Sequence, residues 1–389
     1  MAMYIGLDVH SQQTTYYAIN QEKEFLRKGQ IETTAESYLS FAQTMLSCDS
    51  VVHVAMETGT QCRWAAQRLK ESGIDAKVFH AAEVATLRPK KKQKNDMNDA
   101  AELAFGLCTG LYRSEMYMPT DTENSMRRLS EERLWYVDLA ASAMNKTKLK
   151  LRSLGLDVPK NLRSYKTWEH LLESLQDEEL VSYIRRHYKT FCHAREMVQE
   201  LEEQMEPCRQ VRQEEIELLQ TIPGVGKQTS FAMVAAVGDI QRFPSAPQLA
   251  SYCGVIPGSY DSGNRKVSAH ITRTGPSYLR RLLCECARHA IKSTNPLSAY
   301  YYAIYRRTGS RKKAIVAIMH RIVRIAFQVL KTRQPFDPRK LRIYTEKLAN
   351  TGSWYWKMGI RPDPEQKEQG KQPEQPESMP KRLKIQKAN

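Results

Sequence analysis

The hydrophobic period of this chain changes repeatedly between Tyr4 and Cys108, and that order of elements restricts the fold more than any other feature. Tyr4–Asp8, Gln13–Asn20 and Phe25–Thr33 read as three successive strands, the Thr- and Tyr-rich second one antiparallel to the first. Glu36–Leu46 has helical spacing. Val51–Met56 is a nearly continuous apolar run, as expected of a strand buried on both faces. Gln61–Glu71 predicts a helix, Ala76–His80 a strand and Asn98–Cys108 another helix. Strand and helix patterns in alternation mark an α/β domain.

Three antiparallel strands followed by alternating helix and strand is the element order of the ribonuclease-H-like fold, an analogy of order alone. Beyond residue 120 the strand signal stops. Ser130–Leu154 and Leu180–Leu219 read as long charged helices that could form an antiparallel coiled arm, joined around Gly155–Trp168. A third unit follows, punctuated by glycine and then strongly helical. From Gln366 to Asn389 the chain is Pro, Gln, Glu and Lys with few apolar residues, which predicts disorder. The expected division is 1–115 for the α/β domain, 116–218 for the helical linker, 219–335 for the C-terminal domain and 336–389 for an extension.

With 389 residues, two or three domains are expected. The formal net charge of +16 points to a polyanionic partner, most simply nucleic acid. The eight cysteines include no C-x-x-C pair, which argues against a zinc ribbon and for free thiols in a reducing compartment. The N-terminus lacks the basic flank and apolar stretch of a signal peptide, and no apolar run is long enough to span a bilayer. No membrane partner and a cytoplasmic location are expected.

Four carboxylates stand at element ends. Asp8 ends the first strand, Glu57 follows the buried strand, and Asp96 and Asp99 are spaced i, i+3 at the start of a helix, so both can face one way. Gathered together they would repel one another unless divalent cations neutralised them, and hard oxygen ligands suit Mg²⁺ or Mn²⁺. Paired ions of that kind serve phosphoryl transfer on nucleic acid. Taken singly, Asp96 could instead be a helix N-cap, Glu57 could cap the next helix, and Asp8 could be a turn residue.

Further along, Leu219–Lys227 fits a helix-hairpin-helix, with Gly224 and Gly226 permitting a tight turn, backbone N–H groups free to receive a phosphate, and Lys227 adding charge. A plain helix–helix turn would use the same glycines. Tyr252–Lys266 reads as a loop crowded with small residues, leading into a helix from Pro276. There a hydroxyl beside glycine, Ser262, has Arg265, Lys266, His270 and Arg273 near in sequence, an arrangement suited to attack on a phosphate. Ser-Gly is equally a routine turn pair. Lys90, Lys91, Lys92 and Lys94 precede Asp96 and could hold a phosphate backbone. Tyr300, Tyr301, Tyr302 and Tyr305, followed by Arg306, Arg307, Arg311, Lys312 and Lys313, combine rings and cations as single-strand binders do, or divide into core and solvated face.

Gly6-Leu7-Asp8, Met56-Glu57-Thr58-Gly59, Asp96-Met97-Asn98-Asp99-Ala100, Ile222-Pro223-Gly224-Val225-Gly226, and Ser262-Gly263 with Ile271-Thr272-Arg273-Thr274-Gly275 occur in that order. Together they resemble the DEDD-type transposases of insertion sequences, a family that includes Piv-type invertases and bridge-RNA-guided recombinases. The resemblance covers residues 4–330. It implies a RuvC-like N-terminal domain, a coiled-coil linker and a mostly helical C-terminal transposase domain. It implies Mg²⁺ held by Asp8, Glu57, Asp96 and Asp99, and Ser262 forming a covalent link to DNA. It also implies a dimer or tetramer with active sites shared between subunits, a non-coding guide RNA in some members, and a prokaryotic, nucleoid-associated setting. Two departures stand out: Gly258-Ser259-Tyr260-Asp261 differs from the run expected before the serine, so Ser259 and Tyr260 stay open as nucleophiles, and the chain continues past the family's usual end.

Three functions compete: a recombinase acting through a serine–DNA intermediate (a transposase or a site-specific invertase), a RuvC-like metal-dependent nuclease using water, and a catalytically idle nucleic-acid-binding module. A denaturation-resistant protein–DNA adduct separates the first from the second, and loss of activity on chelation excludes the third.

Overall fold

The computed structural model describes residues 2–87, 95–262, 265–292 and 295–338, and between 259 and 269 the backbone alone. The chain divides into two compact units, one ending at Thr120 and the other beginning at Asp121. Lys90, Lys91, Lys92 and Lys94 lie outside the described residues, as does the extension from residue 339 onward with the tail expected to be disordered.

In the first unit β1 (Ala2–Val9), β2 (Gln13–Ile19) and β3 (Phe25–Glu32) form an antiparallel meander. Next come α1 (Ala35–Cys48), β4 (Val51–Glu57), α2 (Cys62–Glu71) and β5 (Asp75–Phe79). The sheet order is β3-β2-β1-β4-β5, with β1, β4 and β5 mutually parallel. This mixed five-stranded order is that of the ribonuclease-H-like, RuvC-like fold. A short helix that periodicity did not reveal, α3 (Ala81–Leu87), precedes α4 (Asp96–Cys108).

Alternation along β1 sorts the two faces. Met3, Ile5 and Leu7, with Val52, Val54 and Met56 of β4, join the core formed with α1 and α2. Gly6 and Ala55 face the other way, toward α4. A Cβ on Gly6 would lie 1.9 Å from the carbonyl oxygen of Ala100 and 2.6 Å from the amide of Ala104. Only a glycine lets the α4 backbone come so close to the central strand. Gly6→Ala is therefore expected to destabilise the protein by about 3 kcal/mol, because the obstacle is backbone rather than a flexible side chain. Urea denaturation of the two proteins checks this.

The second unit opens with α5 (Asp121–Ser153), which pairs with α7 (Glu178–Val211) around α6 (Tyr165–Ser174). Their apolar stripes meet at Ala140, Leu151, Ile184 and Phe191, and Trp168 of α6 is fully buried among them, its indole N–H donating to the Leu162 carbonyl at 2.8 Å. The continuous helix expected over Leu180–Leu219 is instead interrupted at Arg212 (φ −118°, ψ 27°), where α8 (Gln213–Gln220) begins. Pro207 lies shortly before the break and cannot donate its amide to the helix. The lower ends of α5 and α7 share one core with all that follows, through Met126, Leu129, Leu201 and Met205.

At the centre of that core is α9 (Lys227–Val237), buried on every side from Thr229 to Val237. A buried helix end needs partners for its last carbonyls. Arg127 donates to Ala235 at 2.7 Å and Ala236 at 3.0 Å, Arg242 donates to Val237 at 2.8 Å, and the Tyr252 hydroxyl donates to Ala236 at 3.0 Å. Two guanidinium groups at a helix C-terminus also suit its partial negative charge. α10 (Ala246–Tyr252), the antiparallel pair β6 (Pro257–Ser262) and β7 (Arg265–Ile271), and the helices α11 (Ser277–Ala290), α12 (Pro296–Thr308) and α13 (Arg311–Thr332) complete the unit. No helix among the described residues is long and apolar enough to cross a membrane.

Candidate functional site

The register of β1 and β4 runs from Ala2–Val51 to Leu7–Met56. Asp8 and Glu57 are the next residues on these adjacent central strands, two positions beyond Gly6 and Ala55, so both fall on the face that carries α4. The close approach at Gly6 fixes α4 there, and its first turn carries Asp96 and Asp99. Asn95, not Asp96, is the N-cap: its side chain accepts from the Asn98 amide at 2.7 Å, which leaves Asp96 without a capping role.

Asp8 and Asp99 are buried, at 7% and 6% exposure, whereas Asp96 is exposed. Burial holds the Asp8 carboxyl above the ordinary carboxylate range; Asp96 and Asp99 add to the rise, and His10 opposes it. The structure thus brings Asp8, Asp96 and Asp99 into mutual electrostatic range, with Glu57 on the neighbouring strand end. His10 joins them: its Nε2 lies 3.2 Å from Asp8 Oδ2 and 3.7 Å from Asp96 Oδ1. One donor atom from each of Asp8, His10 and Asp96 falls within a 4.8 Å cluster. Two carboxylates and one imidazole nitrogen make a donor set that a divalent cation could occupy. Sequence reasoning passed over His10, although its i, i+2 spacing from Asp8 was the available signal.

The expected serine loop is a β-hairpin. Ser262 ends β6 opposite Arg265, while Pro257 pairs with Ile271 at the other end. The side chains of Ser262, Arg265 and Lys266 lie outside the described residues. Pro257 and Ser262 are five residue steps apart along the strand, a span of ~17 Å at ~3.3 Å per residue. Arg273 follows the Ile271 end, and so stands at the far end of the hairpin from Ser262 rather than beside it. That end is pinned: Thr272 donates to the Ile256 carbonyl at 3.0 Å, and a Cβ on Gly275 would lie 1.9 Å from the Tyr252 carbonyl. Arg273 itself has φ +57°, a strained value for a residue other than glycine.

The helix-hairpin-helix joins α8 to α9. Gly224 has φ +86° and no room for a side chain, its Cβ position being 2.5 Å from the Cys286 carbonyl, so its role is packing against α11. Gly226 is the N-cap of α9 and faces open space, while Lys227 pairs with Glu206 at 3.3 Å. Of the tyrosine cluster, Tyr301 is buried, Tyr300 and Tyr305 pack against the core, and Tyr302 is exposed. All eight cysteines are free thiols.

A transposase family model of the DEDD IS110 type matches residues 5–154, and the transposase IS116/IS110/IS902 family model matches residues 216–303. The chain is 27% identical over 252 residues to the transposase for insertion sequence element IS1111A of Coxiella burnetii, covering 63% of this chain and 68% of that one. It is 36% identical over 129 residues to the pilin gene-inverting protein of Moraxella bovis, covering 31% and 38%. A solved structure of T. thermophilus RuvC in complex with Holliday junction substrate aligns with 30% of this chain and 100% of its own at 11% identity and a TM-score of 0.23, so the fold stands on the strand order. One family match spans the carboxylate cluster and the other the serine hairpin; the chain belongs to the DEDD-type transposases of insertion sequences.

Proposed function

We propose that this transposase cuts and rejoins DNA strands through a covalent Ser262–DNA intermediate, with Asp8, Glu57, Asp96 and Asp99 holding Mg²⁺ or Mn²⁺. The observation that carries this reading is the position of Asp8 and Glu57 on adjacent strand ends, facing the acidic first turn of α4. A bound divalent cation would supply charge neutralisation at the phosphate and favour the deprotonated attacking hydroxyl. Asp8, buried among like charges, is the group with most to gain from a cation. The exposed His10 ring orients its carboxylate. The Ser262 oxygen forms a bond to phosphorus as the bridging P–O bond to one strand end breaks; the serine proton is taken up by the departing oxygen as a hydroxyl. Attack by a strand-end hydroxyl reverses these changes and frees the serine.

Lys90, Lys91, Lys92, Lys94, Arg265, Lys266 and Arg273 would contact the DNA backbone, as would the α9 N-terminus at Gly226 and Lys227. Arg273 would meet a phosphate several nucleotides from the one attacked, given its place at the opposite end of the hairpin. A homo-oligomer with carboxylates and serine supplied by different subunits, and a guide RNA pairing with target and donor DNA, belong to the same reading and rest on the family resemblance. The test uses nucleic acid that co-purifies with the protein, sequenced and resynthesised as substrate. In Mg²⁺ part of the protein should survive denaturation joined to DNA, and EDTA should remove that species. Metal-dependent cleavage without an adduct would identify water as the nucleophile.

A further inference from the structure

We propose that His10 is a metal ligand, and that its imidazole makes the solvent-facing part of the carboxylate cluster a site for a divalent transition-metal ion in preference to Mg²⁺. This selectivity rests on the carboxylate site proposed above, to which His10 adds a nitrogen donor. His10 directly follows β1, two residues beyond Asp8, so the alternation of the strand returns its side chain to the Asp8 face of the sheet. Its backbone is held on both sides: the amide donates to the Gln13 carbonyl at 3.1 Å, and the carbonyl accepts from the Thr33 hydroxyl at 2.8 Å. The turn between β1 and β2 thus fixes where the ring stands, although the ring itself is exposed.

One nitrogen meets two carboxylates. Nε2 is 3.2 Å from Asp8 Oδ2 and 3.7 Å from Asp96 Oδ1. An N–H aimed at Asp8 accounts only for the first approach, since 3.7 Å is beyond hydrogen-bond range. With the ring proton on Nδ1, Nε2 presents a lone pair, and this nitrogen and the two carboxylate oxygens then surround one point. Neighbouring corners of an octahedron whose ligands stand ~2.1 Å from the ion are ~3.0 Å apart, close to the spacing found here. Asp96 is available for the role because Asn95 caps α4 in its place. In the absence of a cation the other tautomer orients Asp8, so the two uses of the ring alternate and do not conflict.

The donor chemistry decides the class of metal. Mg²⁺ is hard, keeps several of its waters and takes oxygen ligands, whereas an imidazole nitrogen suits transition metals. Carboxylates suit Mg²⁺ and Mn²⁺ alike. His10 is the nitrogen donor of the cluster, and so the residue that separates the two ions. Asp8 is buried while His10 and Asp96 are exposed, so an ion reaches this set from solvent and keeps water on its open side.

The experiment titrates the full chain with Mn²⁺ and with Mg²⁺ by calorimetry, and reads the Mn²⁺ complex by pulsed electron paramagnetic resonance for coupling to a ligand nitrogen. The wild type should show that coupling. His10→Ala should remove it, weaken Mn²⁺ binding at least about tenfold and leave Mg²⁺ binding within about twofold, the scale on which single substitutions at metal sites act. His10→Gln, which keeps a polar side chain but has no ring nitrogen, should lose the coupling as well. Because the ring is exposed, both variants keep the core packing intact. Unchanged Mn²⁺ affinity in His10→Ala, an equal loss of both ions, or nitrogen coupling that persists in that variant overturns the proposal. Mn²⁺ held by the wild type without nitrogen coupling, and released in Asp8→Ala, overturns the role of His10 alone and leaves the carboxylate site standing. An absence of Mn²⁺ binding in the wild type sinks both.

Discussion

Ser262→Ala is expected to abolish both the denaturation-resistant DNA adduct and strand cleavage, while DNA affinity stays within about twofold because only one hydroxyl is removed. A serine hydroxyl is a weak nucleophile that requires a base or a cation to activate it. In the hairpin register Ser262 is paired with Arg265, a cation rather than a base. In the mechanism proposed above, a cation held by the carboxylates supplies that activation. Gel electrophoresis under denaturing conditions reads the adduct directly. Persistence of the adduct in Ser262→Ala would move the nucleophile to Ser259 or Tyr260 of the same strand.

The second large effect is expected from Asp8→Ala, which should reduce cleavage by at least ~10²–10³-fold, the usual consequence of removing one preorganised charge-stabilising group. Calorimetric titration with Mn²⁺ should show the accompanying loss of cation binding, a readout independent of turnover. Asp8 is the key position because it is buried on the central strand with Asp96 and Asp99 close by. Asp96, exposed on the first turn of α4, should be the more forgiving of the pair on that helix. Mixing Asp8→Ala protein with Ser262→Ala protein should restore part of the activity if each active site draws its carboxylates and its serine from different subunits. No recovery in the mixture would assign both to one chain.

Much of the N-terminal unit was legible in the sequence because its signals are local. A Thr- and Tyr-rich composition marked β2, a continuous apolar run marked β4, and the predicted ends of β1 to β4 fell close to the observed ones. The long helices were legible for the same reason, except at Arg212, where a break between two helices of similar composition leaves little trace in periodicity. The short α3 lacks the length to establish a period at all.

The sequence by itself determined which residues terminate which elements: Asp8 and Glu57 at strand ends, Asp96 and Asp99 one turn apart at a helix start, and Ser262 beside a glycine. Those placements follow from side-chain alternation and helical pitch, which act over a few residues. Tertiary structure alone decided which of these ends meet. Gly6 allows α4 to touch the central strand and so sets Asp99 near Asp8, an approach of residues far apart in the chain that no local period encodes. It added His10 to the cluster, and it placed Arg273 at the opposite end of the hairpin from Ser262, because an extended strand carries sequence neighbours apart by ~3.3 Å per residue. It also divided the tyrosines of α12 between core and surface, since burial depends on what packs against each face of a helix rather than on the residues within it.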